Sequence, residues 1–263
     1  MQDSRKSDFY MNIKNQLKSG LKLRPLLLIF ASLFIVWCIW FYFTLPDVSY
    51  LKTENPEKTA LMELRIEQAT EANKKYRIKQ TWIRFGDVPE LLKKSIRITE
   101  DAAFYDHSGL DWTEFWESVK KNVEEGEFAR GGSTITQQLA KNLYLSTEKS
   151  LFRKFRELFI SYSLESELSK NRIFHIYLNI IEFGPGIFGV QAASQYYFDS
   201  KVQDLSLSQI VRLTAIIPRP LKVNAAGNSR WLKWKCRWIL GKMKLYKYIS
   251  EDVYKSAIQE FKK

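Results

Sequence analysis

Apolar and polar positions divide the 263-residue chain into five regimes. Residues 1–25 are polar and basic. From Leu26 to Leu45 come twenty residues without a charge, LLLIFASLFIVWCIWFYFTL. A helix of that length rises about 30 Å, the thickness of a bilayer's hydrocarbon core, so a transmembrane helix is predicted over 26–45. A secretory signal peptide fits poorly, because the run is too long and no small-x-small cleavage site follows it. Trp40, Phe41, Tyr42 and Phe43 match an aromatic belt at the far interface. Residues 46–81 are charge-mixed with no strong apolar stripe, and read as a stalk. From Trp82 to about Asn224 the chain is dense in apolar residues at helical spacing, as in Ile173, Phe174, Tyr177, Leu178 and Ile181. Asp87 and Pro89 mark a helix start that Leu91, Leu92, Ser95, Ile96 and Thr99 continue. The last stretch, Asn228 to Lys263, is basic and aromatic, with Trp231, Trp234, Trp238 and Tyr246. Strand-like alternation is scarce, so the predicted fold class is all-α, without repeats or low-complexity tracts.

Charge orients this plan. The first 25 residues carry Arg5, Lys6, Lys14, Lys18, Lys22 and Arg24 against Asp3 and Asp8, which keeps the N-terminus cytoplasmic and puts everything after Pro46 outside. The formal charge is +12, from 41 Lys and Arg against 29 Asp and Glu. About +8 of it belongs to the external part, an excess suited to an anionic lipid or substrate. Nucleic acid is excluded as a partner, because the domain faces away from it. With 45% hydrophobic residues the chain has ample material for a core, so disorder is excluded too. Two cysteines, one of them inside the apolar run, and two histidines make a disulfide framework or a zinc site a poor fit.

Three clusters carry residues suited to chemistry. The first runs from Glu100 and Asp101 through Phe104 and His107 to Gly109. Glu100 is placed at the C-terminal end of the helix begun at Pro89, where the helix dipole disfavours a carboxylate and suits it to general acid or base work. Alone, the cluster more readily describes a surface acid pair with a packed Phe and a core His. The second is Gly131-Gly132-Ser133-Thr134-Ile135-Thr136-Gln137-Gln138, followed by Lys141 and Asn142. Thr134 and Gln137 have capping-box spacing, so a helix is predicted to start there, either as a simple cap or as an anion seat with Lys141 two turns in. The third is Arg153-Lys154-Phe155-Arg156-Glu157, in which both leading cations border the carboxylate on a helix. That arrangement steers a diphosphate or makes an ordinary salt-bridged face. Two other patterns carry no function. Gly184-Pro185-Gly186-Ile187-Phe188-Gly189 matches a dinucleotide fingerprint, but reads as a tight turn between helices with no strand before it. Ser146 to Lys149 has acyltransferase spacing without the companion elements.

Taken in this order behind a membrane helix, the clusters resemble the peptidoglycan glycosyltransferases over roughly Trp82 to Asn224. The family's Glu-Asp-x-x-Phe-x-x-His-x-Gly is intact at Glu100 to Gly109, its Gly-x-Ser-Thr-x-Thr-Gln-Gln at Gly131 to Gln138, and its Arg-Lys-x-x-Glu at Arg153 to Glu157. The fourth motif, Lys-x-x-Ile-Leu-Glu-x-Tyr-Leu-Asn, stands here as Lys170 to Asn179, with Phe174 and His175 replacing Leu and Glu as packing positions. Arg212 to Pro218 answers to a fifth. The resemblance implies a lysozyme-like, two-lobed, all-α glycosyltransferase domain over 82–263. It implies polymerisation of lipid II into glycan strands at the outer face of a bacterial inner membrane. Because the chain ends some forty residues past the last motif, no transpeptidase domain is expected.

On that resemblance Glu100 is the base that takes the proton from the acceptor's GlcNAc 4-hydroxyl. The attacked carbon is C1 of the donor MurNAc, inverted as undecaprenyl diphosphate departs. Lys141, Arg153 and Lys154 meet the leaving group's charge, and Glu157, the second catalytic residue, orients these cations or a metal rather than accepting the proton. The other substrate-binding positions are Asp101, Phe104, His107, Gly132, Ser133, Thr134, Gln137, Gln138, Asn142, Lys170 and Asn179. No ligand cluster marks a metal; Mg²⁺ or Mn²⁺ at the diphosphate is the alternative to cations alone. Expected partners are lipid II, the growing glycan, membrane lipid and other cell-wall synthesis and division proteins. The bulky stretch with Leu110, Trp112, Phe115, Trp116, Val119 and Phe128 reads as a core-facing helix or as a lip dipping into lipid. A lytic hydrolase of the same fold is disfavoured by the basic clusters, since it has no diphosphate to bind. A scaffold without catalysis is disfavoured by the intact Glu100 and Glu157.

Overall fold

The computed structural model describes residues 25–125, 132–145 and 150–262. The basic tail up to Arg24, the side chain of Val119, Phe128, Gly131 and the Ser146–Lys149 tetrad lie outside the described residues. The chain divides into two units, 1–46 and 47–263. In the first, helix α1 spans Pro25–Phe43, beginning one residue before the predicted span and ending two before it. It is long and apolar enough to cross a membrane, and its side chains are exposed nearly throughout, as a lipid-solvated helix requires.

The second unit corrects the stalk. Residues 47–80 are part of the folded body. Leu51 is fully buried, and helix α2 (Ala60–Glu71), capped by the Thr59 side chain, buries Leu61 and Met62 against Phe188. Strand β1 (Lys79–Gln80) pairs in parallel with β3 (Ile187–Phe188), which runs antiparallel to β2 (Glu182–Gly184). The Arg172 guanidinium donates to the carbonyls of Leu51 and Glu54, at 2.7 and 2.5 Å, and Arg65 holds Glu182 through two bonds of 2.8 and 2.9 Å. Sequence pattern missed this because α2 buries only two of its twelve residues, too few for an apolar stripe.

The small sheet also revises the reading of Gly184 to Gly189. A short strand does precede it, and the turn joins β2 to β3 rather than two helices. Gly186 (φ +76°) and Gly189 (φ +81°) occupy the left-handed half of the map, and a Cβ on either would meet a backbone carbonyl oxygen at 2.4 or 2.5 Å. Glycine is required there by chain geometry, with no nucleotide involved.

The rest is helical: α3 (Glu90–Glu100), α4 (Trp112–Glu125), α5 (Ile135–Tyr144), α6 (Leu151–Glu167), α7 (Lys170–Ile180), α8 (Val190–Phe198), α9 (Leu207–Ile216), α10 (Arg230–Leu245) and α11 (Glu251–Ala257). Ser or Thr at the position before α5, α6, α7, α9, α10 and α11 accepts a bond from an N–H of the first turn. That bond satisfies a donor the helix cannot satisfy itself, worth about 1 kcal/mol each. Helix α7 is the centre of the body, with Ile173, Phe174, Ile176, Tyr177, Leu178, Asn179 and Ile180 all buried. Truncating Phe174 to Ala there costs roughly 3–5 kcal/mol. Helix α5 packs against α2, α6 and α7, while α3 packs against α9 and α10. These two sets bring the ends of α3, α5 and α6 together.

Candidate active site

Glu100 is the last residue of α3, partly buried. Its Oε2 accepts from Gln138 Nε2 at 3.0 Å, and Gln138 Oε1 in turn accepts from the Tyr177 hydroxyl at 3.0 Å. Tyr177 is fully buried on α7, and burial pushes its hydroxyl well above the ordinary range, with Glu100 and Asp101 adding to the effect. It therefore stays a neutral donor that fixes which way Gln138 points. Burial raises the Glu100 carboxyl above its ordinary 4.5, and Asp101 adds to the rise. The Gln138 bond and the charges of Lys235 and Lys141 oppose it without cancelling it.

Asp101, next in sequence, faces elsewhere. Its carboxylate accepts from His107 Nε2 (3.0 and 3.1 Å) and from the Ile135 N–H at the start of α5 (3.0 Å). A negative charge there suits the helix N-terminus. Thr134 closes the same joint by donating to the Gly109 carbonyl at 2.7 Å and forming the predicted capping box with Gln137. Phe104 is wholly buried against Tyr105, His107 and Phe174, with the Lys170 ammonium 4.5 Å over its ring. Lys170 and Thr136 both donate to Glu165 Oε1, at 2.7 and 2.5 Å. Asn179, also wholly buried, donates to the carbonyls of Ile83 and His175 and accepts from the Ile83 N–H.

These contacts show where the expected substrate-binding residues sit. Phe104, Thr134, Gln137 and Asn179 are at most 4% exposed and build the frame of the site. Asp101 and His107 are nearly as buried, and bond to each other. Lys170 is paired with Glu165 and capped by Phe104. Gln138 holds Glu100, and Asn142 is buried on α5.

The third cluster lies on the first turns of α6. Glu157 is buried to 2% exposure; Arg153 donates to its Oε2 at 2.8 Å, and Lys154 Nζ bonds its Oε1. Lys154 also reaches the Ser133 hydroxyl at 3.1 Å, linking α6 to the entry of α5. Lys141, one turn beyond Gln138, feels all of these groups. Burial lowers its pKa, Glu157 and Glu100 resist that, and Arg153 and Lys154 reinforce it. Gly132 lies where a Cβ would press the Ser118 hydroxyl at 3.0 Å. Glu100, Lys141, Ser133, Arg153 and Lys154 thus make one bracket: an acid held protonatable on one side, cations on the other.

Three contributors were not anticipated: Tyr177, Glu165 and Lys235. Lys235 comes from α10, far along the chain; burial lowers its ammonium pKa while Glu100 raises it. Only tertiary packing of α10 on α3 reveals it. A tyrosine inside the aliphatic stripe of α7 was the available signal for a buried hydroxyl needing a partner. The replaced positions of the fourth cluster are internal, as expected: Phe174 is core, and His175 Nε2 donates to the Ile83 carbonyl at 2.8 Å. Arg212 donates to the carbonyls of Ala225 and Gly227, clipping the loop before α10. Among the described residues no group of three His, Cys, Asp or Glu could hold a metal ion. Trp112 and Trp116 on α4 are each 62% exposed, so this side of the helix does not face the core. Beside it a cavity of about 930 Å³ opens between the His107–Asp111 loop, Trp112, Leu158 and Tyr162.

Residues 67–244 match the family described as Transglycosylase. A protein of Nitrosospira multiformis named biosynthetic peptidoglycan transglycosylase is 38% identical over 216 residues, covering 82% of this chain and 93% of that one. A protein of the same name from Nitrosomonas eutropha is 39% identical over 221 residues, covering 84% of this chain and 89% of that one. Penicillin-binding protein 1A from Haemophilus influenzae is 18% identical with a TM-score of 0.40, over 70% of this chain and 18% of that one.

Proposed function

Because this chain belongs to the Transglycosylase family, we propose that it is a peptidoglycan glycosyltransferase that polymerises lipid II by inverting transfer, releasing undecaprenyl diphosphate. Family membership supports the enzyme class, and the Glu100 bracket supports the chemistry. Glu100 takes the proton of the acceptor's 4-hydroxyl as that oxygen bonds to C1 of the donor MurNAc. The C1–oxygen bond to the diphosphate breaks on the opposite face. A carboxylate that burial makes more basic than usual is a better base for this step, and Gln138 with Tyr177 holds it in place. The negative charge that builds on the leaving diphosphate meets Lys141, Arg153 and Lys154, with Ser133 beside them.

Glu157 is the anchor of this cationic set. Both its oxygens are taken by Arg153 and Lys154, which leaves it no role as a proton acceptor. Helix α1 supports membrane anchoring, and the basic flank before it an N-terminus in the cytoplasm with the 47–263 unit on the outer face of a bacterial inner membrane. Exposed Trp112 and Trp116 support a lipid-dipping role for α4.

The observation that carries the proposal is the partly buried Glu100, held by Gln138, with Lys141 near enough to feel both it and the Arg153, Lys154 and Glu157 group. Its test is polymerisation of purified lipid II by the full chain and by Glu100→Gln, read as glycan length on a gel. Polymer from the wild type and none from the variant is expected. Equal polymer from both would move the base elsewhere.

A further inference from the structure

Helix α10 has two faces. Leu232, Cys236, Ile239, Leu240 and Met243 are buried at helical spacing and pack into the body with α3 and α9. At about 100° per residue, Trp231, Trp234, Lys235, Trp238, Lys242 and Leu245 share a second stripe, roughly a third of a turn away. That stripe is open: Trp234 is 51% exposed, Trp238 37% and Leu245 71%. Lys235 and Lys242 stand 3.9 and 5.4 Å from the Trp238 ring centre, and Arg219 covers Trp231 at 4.7 Å. Tyr246, just past the helix, and Leu221, two residues after Arg219, are exposed as well, at 41% and 46%. The stripe contains no carboxylate; Glu251 pairs with Lys244, which points off it. At its middle, Lys235 is near enough to Glu100 for each charge to act on the other.

Indoles beside ammoniums are what the headgroup layer of a bilayer favours, with rings at the polar margin and cations against anionic phosphates. A sugar-binding track would use the indoles alone. Exposed Leu245 and Leu221 have no use on a glycan, and gain from contact with acyl chains. We propose that this stripe of α10 docks on anionic phospholipid headgroups, holding the Glu100 side of the site at the membrane surface. The stripe lies on a different helix from the exposed tryptophans of α4. Each cation at an anionic surface strengthens association about five-fold, so the contact is sensitive to both lipid charge and salt.

The test uses the full chain in nanodiscs of phosphatidylcholine, or of phosphatidylcholine mixed with phosphatidylglycerol. Lysines are acylated with an amine-reactive ester and quantified by mass spectrometry, a readout that needs no turnover and stays interpretable if the polymerase proposal fails. Labelling of Lys235 and Lys242 is expected to fall at least about five-fold in the anionic discs, to recover in high salt, and to leave Lys201 and Lys255 unchanged. A Trp234→Ala, Leu245→Ala variant should lose the protection while still polymerising in detergent. Equal labelling in both discs would overturn the proposal. Protection by a glycan oligomer in neutral discs would overturn it in favour of a sugar track.

Discussion

Glu100 is partly buried and Glu157 almost wholly so, and their surroundings are opposite. Glu100 has one neutral amide on its oxygen and cations only at a distance; Glu157 has two cations bonded directly. Burial without a bonded cation makes a carboxylate easier to protonate. Burial with two makes it a fixed counter-charge that holds Arg153 and Lys154 for other anions. The same side chain thus becomes a base in one place and an anchor in the other, through the partners α5 and α6 supply.

The comparison breaks most visibly at Glu100 itself. Glu100→Gln should lower polymerisation about 10²–10⁴-fold, the usual share of a general base, with the substrate concentration at half-maximal rate little changed. The same variant should be the more heat-stable protein at neutral pH. In the native wild type the buried carboxylate ionises against a penalty that the unfolded chain does not carry. That penalty is absent below the ordinary value of 4.5 and grows as pH rises through the raised native value, so melting curves of the two proteins should converge in acid.

Glu157→Gln attacks the other half. It leaves Arg153 and Lys154 without their counter-charge, and should cost roughly 1–3 kcal/mol in denaturant unfolding. That is less than a fully buried pair, because Lys154 is 40% exposed. If Glu157→Gln lost activity as Glu100→Gln does but kept its stability, the division of roles would be wrong.

Smaller effects sharpen the picture. Tyr177→Phe frees Gln138 to turn its amide, removing a bond that stabilises the ionised Glu100. The acid limb of the rate–pH profile should then move to higher pH, with a loss of about ten-fold or less near neutrality. Lys235→Met should shift that limb in the same direction by less, since it acts through space alone. An unshifted limb in both variants would show that Glu100 does not set it.

The placement of Glu100 at a helix end, the capping box and the pairing of Glu157 were all legible from spacing, because i+3 and i+4 relations are local. The stalk was not. Two buried side chains in α2 and a two-residue strand leave no periodic trace, and their partners lie more than a hundred residues later. Tertiary contacts also give partners that residue type alone does not show: Gln138 bonds Glu100, and Asn179 bonds the carbonyls of Ile83 and His175. Lys235 was visible only as one basic residue among many.

The two bonds that join the first cluster to α5, Asp101 to the Ile135 N–H and Thr134 to the Gly109 carbonyl, have one more consequence. They pin the chain at Gly109, just before α4, and at Thr134, just before α5, so that α4 hangs from a fixed joint. Such a clamp makes the stretch between them a replaceable cassette. Its length and chemistry can drift, or be exchanged by grafting, at the modest entropic cost of a longer closed loop, while the catalytic carboxylate keeps its address.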